Sequence, residues 1–341
     1  MTAVIDSAND TSSATAVAAR WEYVPSGPSV SASIAPRFAG PGEKGLGVPS
    51  PSSVAAAALR RGRHALVPSG RHAGMNASER AALAEQYADA DNLNARVRLH
   101  EEHDTADRDW WQWVFDRVDL PDGARVLELG CGPGYLWRDV ADRLPADASL
   151  LLTDFSRGMV TEARGTLAAA GIGNGGADGV EADFATAAAE SLPVADDSVD
   201  VVVANHMLYH VDRDAALPEI RRVLRPGGRL YATTNGEDNL AELRGMITAV
   251  SDFVPPSATK FSLESGSEQL AAHFAGVERY ERDSALRVPE VEPLVAYAGS
   301  LSAIEREELA AFTDRAAERL EASDGPLRIE KSMGLFVARA P

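Results

Sequence analysis

One short stretch, Val126-Leu127-Glu128-Leu129-Gly130-Cys131-Gly132-Pro133-Gly134-Tyr135, joins an apolar run to three glycines at alternate positions. Gly130, Gly132 and Gly134 let the backbone turn sharply and come close to a ligand, because no Cβ intervenes. Pro133 suits the first turn of a following helix, where its missing N–H costs nothing. A strand, a glycine turn and a helix start together aim free backbone N–H groups at whatever lies over the turn. Asp154 closes a second apolar run, roughly two dozen residues after Gly130, where an acid can accept both hydroxyls of a ribose. Asp183 closes a weaker third run with Phe184 beside it. A carboxylate there can accept from an adenine amino group while apolar neighbours sandwich the ring. Asn205, His206, Tyr209 and His210 follow a fourth run and face the place where a reactive group would lie. A histidine titrates near neutrality, so His206 and His210, with Tyr209, are the candidates for proton transfer.

These residues need a scaffold that brings strand ends together. The strands expected are Arg125 to Leu129, Leu150 to Thr153, Val180 to Asp183, Asp200 to Asn205 and Leu230 to Thr234. Helical spacing falls between them: Trp137, Val140 and Leu144; Ser156 to Ala169 with Met159, Val160, Ala163 and Leu167 inward; and Ala215 to Leu224. Repeated β-α order predicts a parallel sheet covered on both faces, with ligands at the carboxyl ends of its strands. The last third changes character. Helices are expected over Leu240 to Val250, Glu264 to Phe274, Val291 to Ser300 and Ser302 to Ala322. Ser302 with Glu305 reads as a capping box for the last of these. Strands are expected over Val277 to Asp283 and Ile329 to Ala338.

Ahead of the sheet, helices are expected over Glu79 to Ala88, Leu93 to His103 and Asp107 to Val118. The third carries Trp110, Trp111, Val114, Phe115 and Val118 on one apolar stripe. These helices are expected to close over the crevice, with Tyr87, Asn92, Arg96, His100 and Trp110 toward it; a structural clamp on the sheet edge is the other reading. Phe253, Phe261 and Tyr297 read first as core and second as lining. Residues 1–74 are rich in Ala, Ser, Pro and Gly and are expected to form a disordered extension, dispensable for activity. Met75, just before a helix cap, is a candidate alternative start. The organisation expected is thus 1–74 extension, 75–122 helical lid and 123–341 catalytic domain, with an acceptor-lining segment near 236–300.

Composition narrows the classes. The chain has 341 residues, and its formal net charge of −18 argues against a nucleic-acid partner, which calls for a basic face. No apolar run is long enough to cross a bilayer, and the opening residues lack a secretory pattern. The single cysteine, Cys131, fits a reducing, cytoplasmic setting and reads as a small turn residue rather than a nucleophile. No metal site is expected, and the sequence is silent on oligomeric state.

The spacing Glu128-x-Gly130-x-Gly132-x-Gly134 resembles motif I of the class I S-adenosylmethionine (SAM) methyltransferases; a nicotinamide site would want its third glycine where Tyr135 stands. The resemblance extends through Thr153-Asp154-Phe155-Ser156-Arg157-Gly158-Met159, Ser191-Leu192-Pro193-Val194-Ala195-Asp196-Asp197-Ser198-Val199-Asp200 and Ile220-Arg221-Arg222-Val223-Leu224-Arg225-Pro226-Gly227-Gly228. Residues 128–234 look like the group related to ubiquinone-biosynthesis enzymes. The resemblance implies a Rossmann-like, doubly wound seven-stranded sheet with its last strand antiparallel. It implies SAM as cofactor and a small molecule, such as a secondary metabolite, as methyl acceptor. Gly130, Cys131 and Gly132, within the Glu128–Gly134 motif, would line the methionine part. Asp154 would hold the ribose, Phe155 and Met159 would flank the adenine, Asp183 and Phe184 would contact it, and the Asn205 backbone would lie near the methionine end. One departure is an alanine-rich insertion, about Thr186 to Glu190. A peptide or protein methyltransferase, and a SAM-binding protein without methyl transfer, are the alternatives.

Overall fold

A computed structural model of the chain describes residues 90–173, 179–253 and 260–341, all within one compact unit. The expected helix Glu79 to Ala88, Tyr87, the extension 1–74 and the Met75 start lie outside the described residues.

Seven strands form one sheet: β1 (Arg125–Leu129), β2 (Ser149–Asp154), β3 (Glu181–Thr186), β4 (Val199–Asn205), β5 (Leu224–Asn235), β6 (Ala275–Val288) and β7 (Leu327–Arg339). Their order is β3-β2-β1-β4-β5-β7-β6. β1 to β5 run parallel, and β7 runs antiparallel to both β5 and β6. The α/β, Rossmann-like sheet with an antiparallel last strand is therefore as expected. The switch in strand order falls between β1 and β4, so a crevice opens at their carboxyl ends.

Local chemistry explains the elements. β4 is buried along its whole length, which is why it reads as an unbroken apolar run. Nine helices are described: α1 (Asp91–His103), α2 (Trp110–Phe115), α3 (Tyr135–Asp139), α4 (Arg157–Ala169), α5 (Arg213–Val223), α6 (Ala241–Thr248), α7 (Gly266–Ala271), α8 (Glu292–Gly299) and α9 (Arg306–Glu321). Ser156 caps α4, its hydroxyl accepting from the Met159 N–H at 3.3 Å, and Met159, Val160, Ala163 and Leu167 are buried. Two apolar clusters pack on the two faces of the sheet. A third lies around α1, α6, α8 and α9 with the ends of β6 and β7.

Three expectations need correction. The tryptophan helix starts at Trp110 rather than Asp107, because the Asp109 carboxylate caps it, accepting from the Trp111 N–H at 2.8 Å. The last helix starts at Arg306, and its cap is not Ser302: Glu308 accepts from the Glu305 N–H at 2.8 Å. Most consequentially, β3 does not end at Asp183. It runs three residues further, pairing Phe184 with Leu152, Ala185 with Thr153 and Thr186 with Asp154. Asp183 therefore sits in mid-strand opposite Leu151.

Candidate active site

The glycine turn leaves β1 with Gly130, Gly132 and Gly134 all at positive φ (62°, 51° and 79°). Only glycine adopts these values without strain. Gly134 has a second reason: a Cβ there would stand 2.6 Å from Leu167 Cδ1, so this glycine seats α3 against α4 rather than facing a ligand. Gly132 faces the crevice. Its N–H donates to Asp154 Oδ2 at 3.0 Å, and the other carboxylate oxygen accepts from the Ser156 N–H at 2.7 Å. The tips of β1 and β2 are thus tied by one half-buried acid. Burial pushes the Asp154 carboxyl up, and the N–H groups of Ser156, Gly132 and Phe155 pull it back.

Beneath the turn, Glu128 is 2% exposed. Its two oxygens accept from Trp137 Nε1 at 2.6 Å and Asn205 Nδ2 at 3.0 Å. Burial raises its pKa to about 8 despite those bonds. Asn205 Oδ1 in turn accepts from the Thr233 hydroxyl at 3.3 Å, so the tips of β1, β4 and β5 share one hydrogen-bonded chain. Cys131 is buried, and burial keeps its thiol protonated, which fits a turn residue and not a nucleophile.

A cavity of about 610 Å³ opens over these tips, within the range of small-molecule sites. Glu128, Gly130, Cys131, Gly132, Asp154, Phe155, Met159, Asn205, His206, Tyr209 and His210 all line it. Arg96, His100 and Trp110 from α1 and α2 form its roof, and Phe253 and Tyr297 reach it as well. Phe261 is fully buried in the core. Asn92 is not on the wall.

Asp183 and Phe184 do not line this cavity. Phe184 is half-buried against the core beside α4, with the Arg164 guanidinium 5.2 Å from its ring centre. The lengthened β3 instead delivers Ala187, Ala188, Ala189 and Glu190 to the wall. The Ala187 N–H donates to the Asp154 carbonyl at 3.0 Å, which holds that segment beside β2.

His206 follows β4 with φ of 48°, an uncommon conformation for a residue with a Cβ. Thr233 holds it there, its carbonyl and hydroxyl accepting from the His206 N–H at 3.2 and 3.0 Å. The imidazole lies 5.5 Å from the Trp110 ring, and its Nε2 is buried without a hydrogen-bond partner. Burial, then the charge of Lys331, lowers its pKa to about 4. His210 packs edge-on to Tyr209 at 4.5 Å. Burial, then Arg96 and Lys260, lowers its pKa to about 3. Both rings are uncharged at neutral pH, the form that can accept a proton.

The far wall comes from residues that no local pattern marked. Asp104, just after α1, accepts from Arg282 of β6 at 3.0 Å and from Lys331 of β7, both on Oδ2. Their one signal is parity: Leu327, Ile329, Lys331 and Met333 alternate inward along β7, so Lys331 occupies a core position.

Residues 127–232 match the family model described as a methyltransferase domain. They form a class I SAM methyltransferase domain. The malonyl-[acyl-carrier protein] O-methyltransferase of Methylococcus capsulatus is 39% identical over 147 residues, 42% of this chain and 50% of that protein. The ubiquinone/menaquinone biosynthesis C-methyltransferase of Hahella chejuensis is 36% identical over 122 residues, 36% of this chain and 47% of that protein. The chain spans about half the length of these curated relatives. Among solved structures, the YcgJ protein of Bacillus subtilis is similar with a TM-score of 0.48 and 17% identity, over 67% of this chain and 95% of that one. SAM is the cofactor that such a domain implies. The methyltransferase domain fits such a group physically: a Cβ-free turn borders the cavity, and a half-buried carboxylate, already accepting from the Gly132 N–H, stands at the tip of the next strand. No described helix is long and apolar enough to cross a membrane, and no metal-ligating cluster occurs among the described residues.

Proposed function

We propose that the protein transfers a methyl group from SAM to a small-molecule acceptor, in the cytoplasm. The observation that carries this reading is the Gly132–Asp154 contact at 3.0 Å on the wall of one cavity that also holds His206 and Trp110. When bound, SAM supplies a methyl made electrophilic by its sulfonium.

Roles follow from placement. The turn Gly130-Cys131-Gly132 flanks the methionine part, above Glu128 and the Asn205 backbone. Asp154 receives the ribose hydroxyls. Phe155 and Met159 would flank the adenine, with Ala187 to Glu190, which line the cavity where Asp183 and Phe184 do not, beside it. Gly134 acts indirectly by seating α3.

The chain's further contribution is alignment, water exclusion and proton acceptance. The α1–α2 roof covers the cavity, and a lid motion of these helices would admit and release ligands. His206 Nε2 takes the acceptor's proton where the acceptor starts protonated, with Tyr209 and His210 as neighbours that fix its surroundings.

The test is incubation with SAM and a panel of small-molecule acceptors, following release of S-adenosylhomocysteine. Release with at least one acceptor, and loss of that release on His206→Asn, is expected. Cofactor binding without release for any acceptor would leave a SAM-binding protein that transfers nothing.

A further inference from the structure

The far wall of the cavity concentrates positive charge in a chain whose net charge is −18. The side chains of Lys331 and Arg282 are 1% and 4% exposed. Both lean on the same oxygen of a single carboxylate, Asp104 Oδ2. Asp104 Oδ1 is already occupied, accepting from the Ala106 N–H at 2.9 Å. One carboxylate offsets one of two buried cations and leaves the other without a counter-charge, which is costly in a low-dielectric site. Asp109 also faces this wall, but it is exposed and its carboxylate caps α2. Arg96 adds a third cation on the roof.

Unsatisfied hydrogen-bonding atoms gather at the same place. Arg282 Nε and Trp110 Nε1, both donors, are buried without a hydrogen-bond partner, as are His100 Nδ1 and His206 Nε2. The Arg282 guanidinium lies 5.7 Å from the Trp110 ring centre. All four residues line the cavity. Buried donors in a native fold call for an acceptor, and here they surround an excess of positive charge.

The cofactor's own carboxylate is poorly placed to answer that need. The glycine turn leaves β1, whereas Lys331 stands on β7, three strands away across β4 and β5. At ordinary strand spacing that is roughly 15 Å. Asp154 on β2, the turn after β1 and Asn205 on β4 would hold the ribose and methionine parts, which leaves β6 and β7 for the acceptor side.

We infer that Lys331 and Arg282, with the Trp110 and Arg282 donors, recognise an anionic group, a carboxylate or phosphate monoester, on the methyl acceptor. The inference rests on the methyltransferase reading of the cavity. It also gives His206 a consistent part: an anion beside Lys331 offsets the charge that depresses the imidazole's basicity, so proton acceptance improves when the acceptor is seated.

The experiment is titration calorimetry on full-length protein saturated with S-adenosylhomocysteine. The probes are benzoate, phenyl phosphate and the neutral benzamide. At least one anionic probe should bind roughly tenfold or more tighter than benzamide, and which one does distinguishes carboxylate from phosphate. Lys331→Gln and Arg282→Gln should erase that preference while S-adenosylhomocysteine affinity holds. Asp104→Asn, which removes the counter-charge but keeps the Ala106 contact, should tighten the anion instead. Equal affinity for neutral and anionic probes, or no anion binding at millimolar concentration, overturns the inference. So does a fall in S-adenosylhomocysteine affinity in Lys331→Gln, which would assign the cations to the cofactor. Failure of the wild-type protein to bind S-adenosylhomocysteine would instead remove the methyltransferase reading.

Discussion

His206 offers a prediction whose size follows from its surroundings. In the folded protein its pKa is lowered from 6.5 to about 4, first by burial and then by Lys331. The unfolded chain therefore binds a proton that the folded chain refuses. Stability contributed by the neutral ring is complete above pH 6.5 and is lost as pH falls from there toward 4. The whole shift corresponds to roughly 3 kcal/mol, and about 1 kcal/mol of it falls between pH 6 and pH 5. The perturbation is His206→Asn, because asparagine tolerates positive φ and carries no titrating ring. Urea unfolding of both proteins at pH 7, 6 and 5 gives the comparison. Other groups titrate too, among them His100 and His210; both are common to the two proteins, and burial, which the substitution leaves in place, is the first cause of their lowered pKa, with His206 a minor one. The wild type should lose about 1 kcal/mol more than the variant from pH 6 to pH 5. Parallel pH dependences would show that the imidazole is charged or exposed in the fold, and would remove its role as a neutral proton acceptor.

Other consequences are as direct. Gly134→Ala places a Cβ 2.6 Å from Leu167 Cδ1 at a φ of 79° and should cost about 1–3 kcal/mol, seen as a lowered Tm; an unchanged Tm would contradict the packing described. Glu128 titrates with the opposite sense to His206. Its folded pKa, raised by burial to about 8, means the folded protein holds a proton that the unfolded chain releases. Stability should fall by about one proton's worth per pH unit from roughly pH 5 to 8, and Glu128→Gln should abolish that slope. Asp183→Asn should leave S-adenosylhomocysteine affinity unchanged by calorimetry, since the residue lies in mid-strand off the cavity; a large loss would restore it to the adenine site.

The difference between what the sequence disclosed and what it hid is physical. The glycine turn and Asp154 are legible because each role is local: a turn that needs positive φ, and an acid that closes an apolar run. Asp183 misleads for a related reason. Ala185 and the alanines after it have weak intrinsic strand preference, so the sequence pattern of a strand stops early. Pairing with Leu152, Thr153 and Asp154 carries β3 onward regardless. The alanine-rich insertion begins at the strand's last residue, Thr186, and continues from it along the cavity wall. Asp104, Arg282 and Lys331 were invisible as a group because 178 and 227 residues separate the partners along the chain. Only the inward parity of Lys331 along β7 hinted that a charge was buried there. The short α3 shows the limit of helical spacing: Trp137 is buried as expected, but the helix ends at Asp139 and Leu144 falls beyond it.

The central claim is that the Asp154 carboxylate and the glycine turn together hold one nucleoside. Calorimetry with S-adenosylhomocysteine on wild-type protein and Asp154→Ala tests it most directly. Loss of two charge-assisted hydrogen bonds should weaken binding by about a hundredfold or more, with far-UV circular dichroism unchanged. Equal affinity in the two proteins, or no binding by folded wild-type protein, would contradict the account.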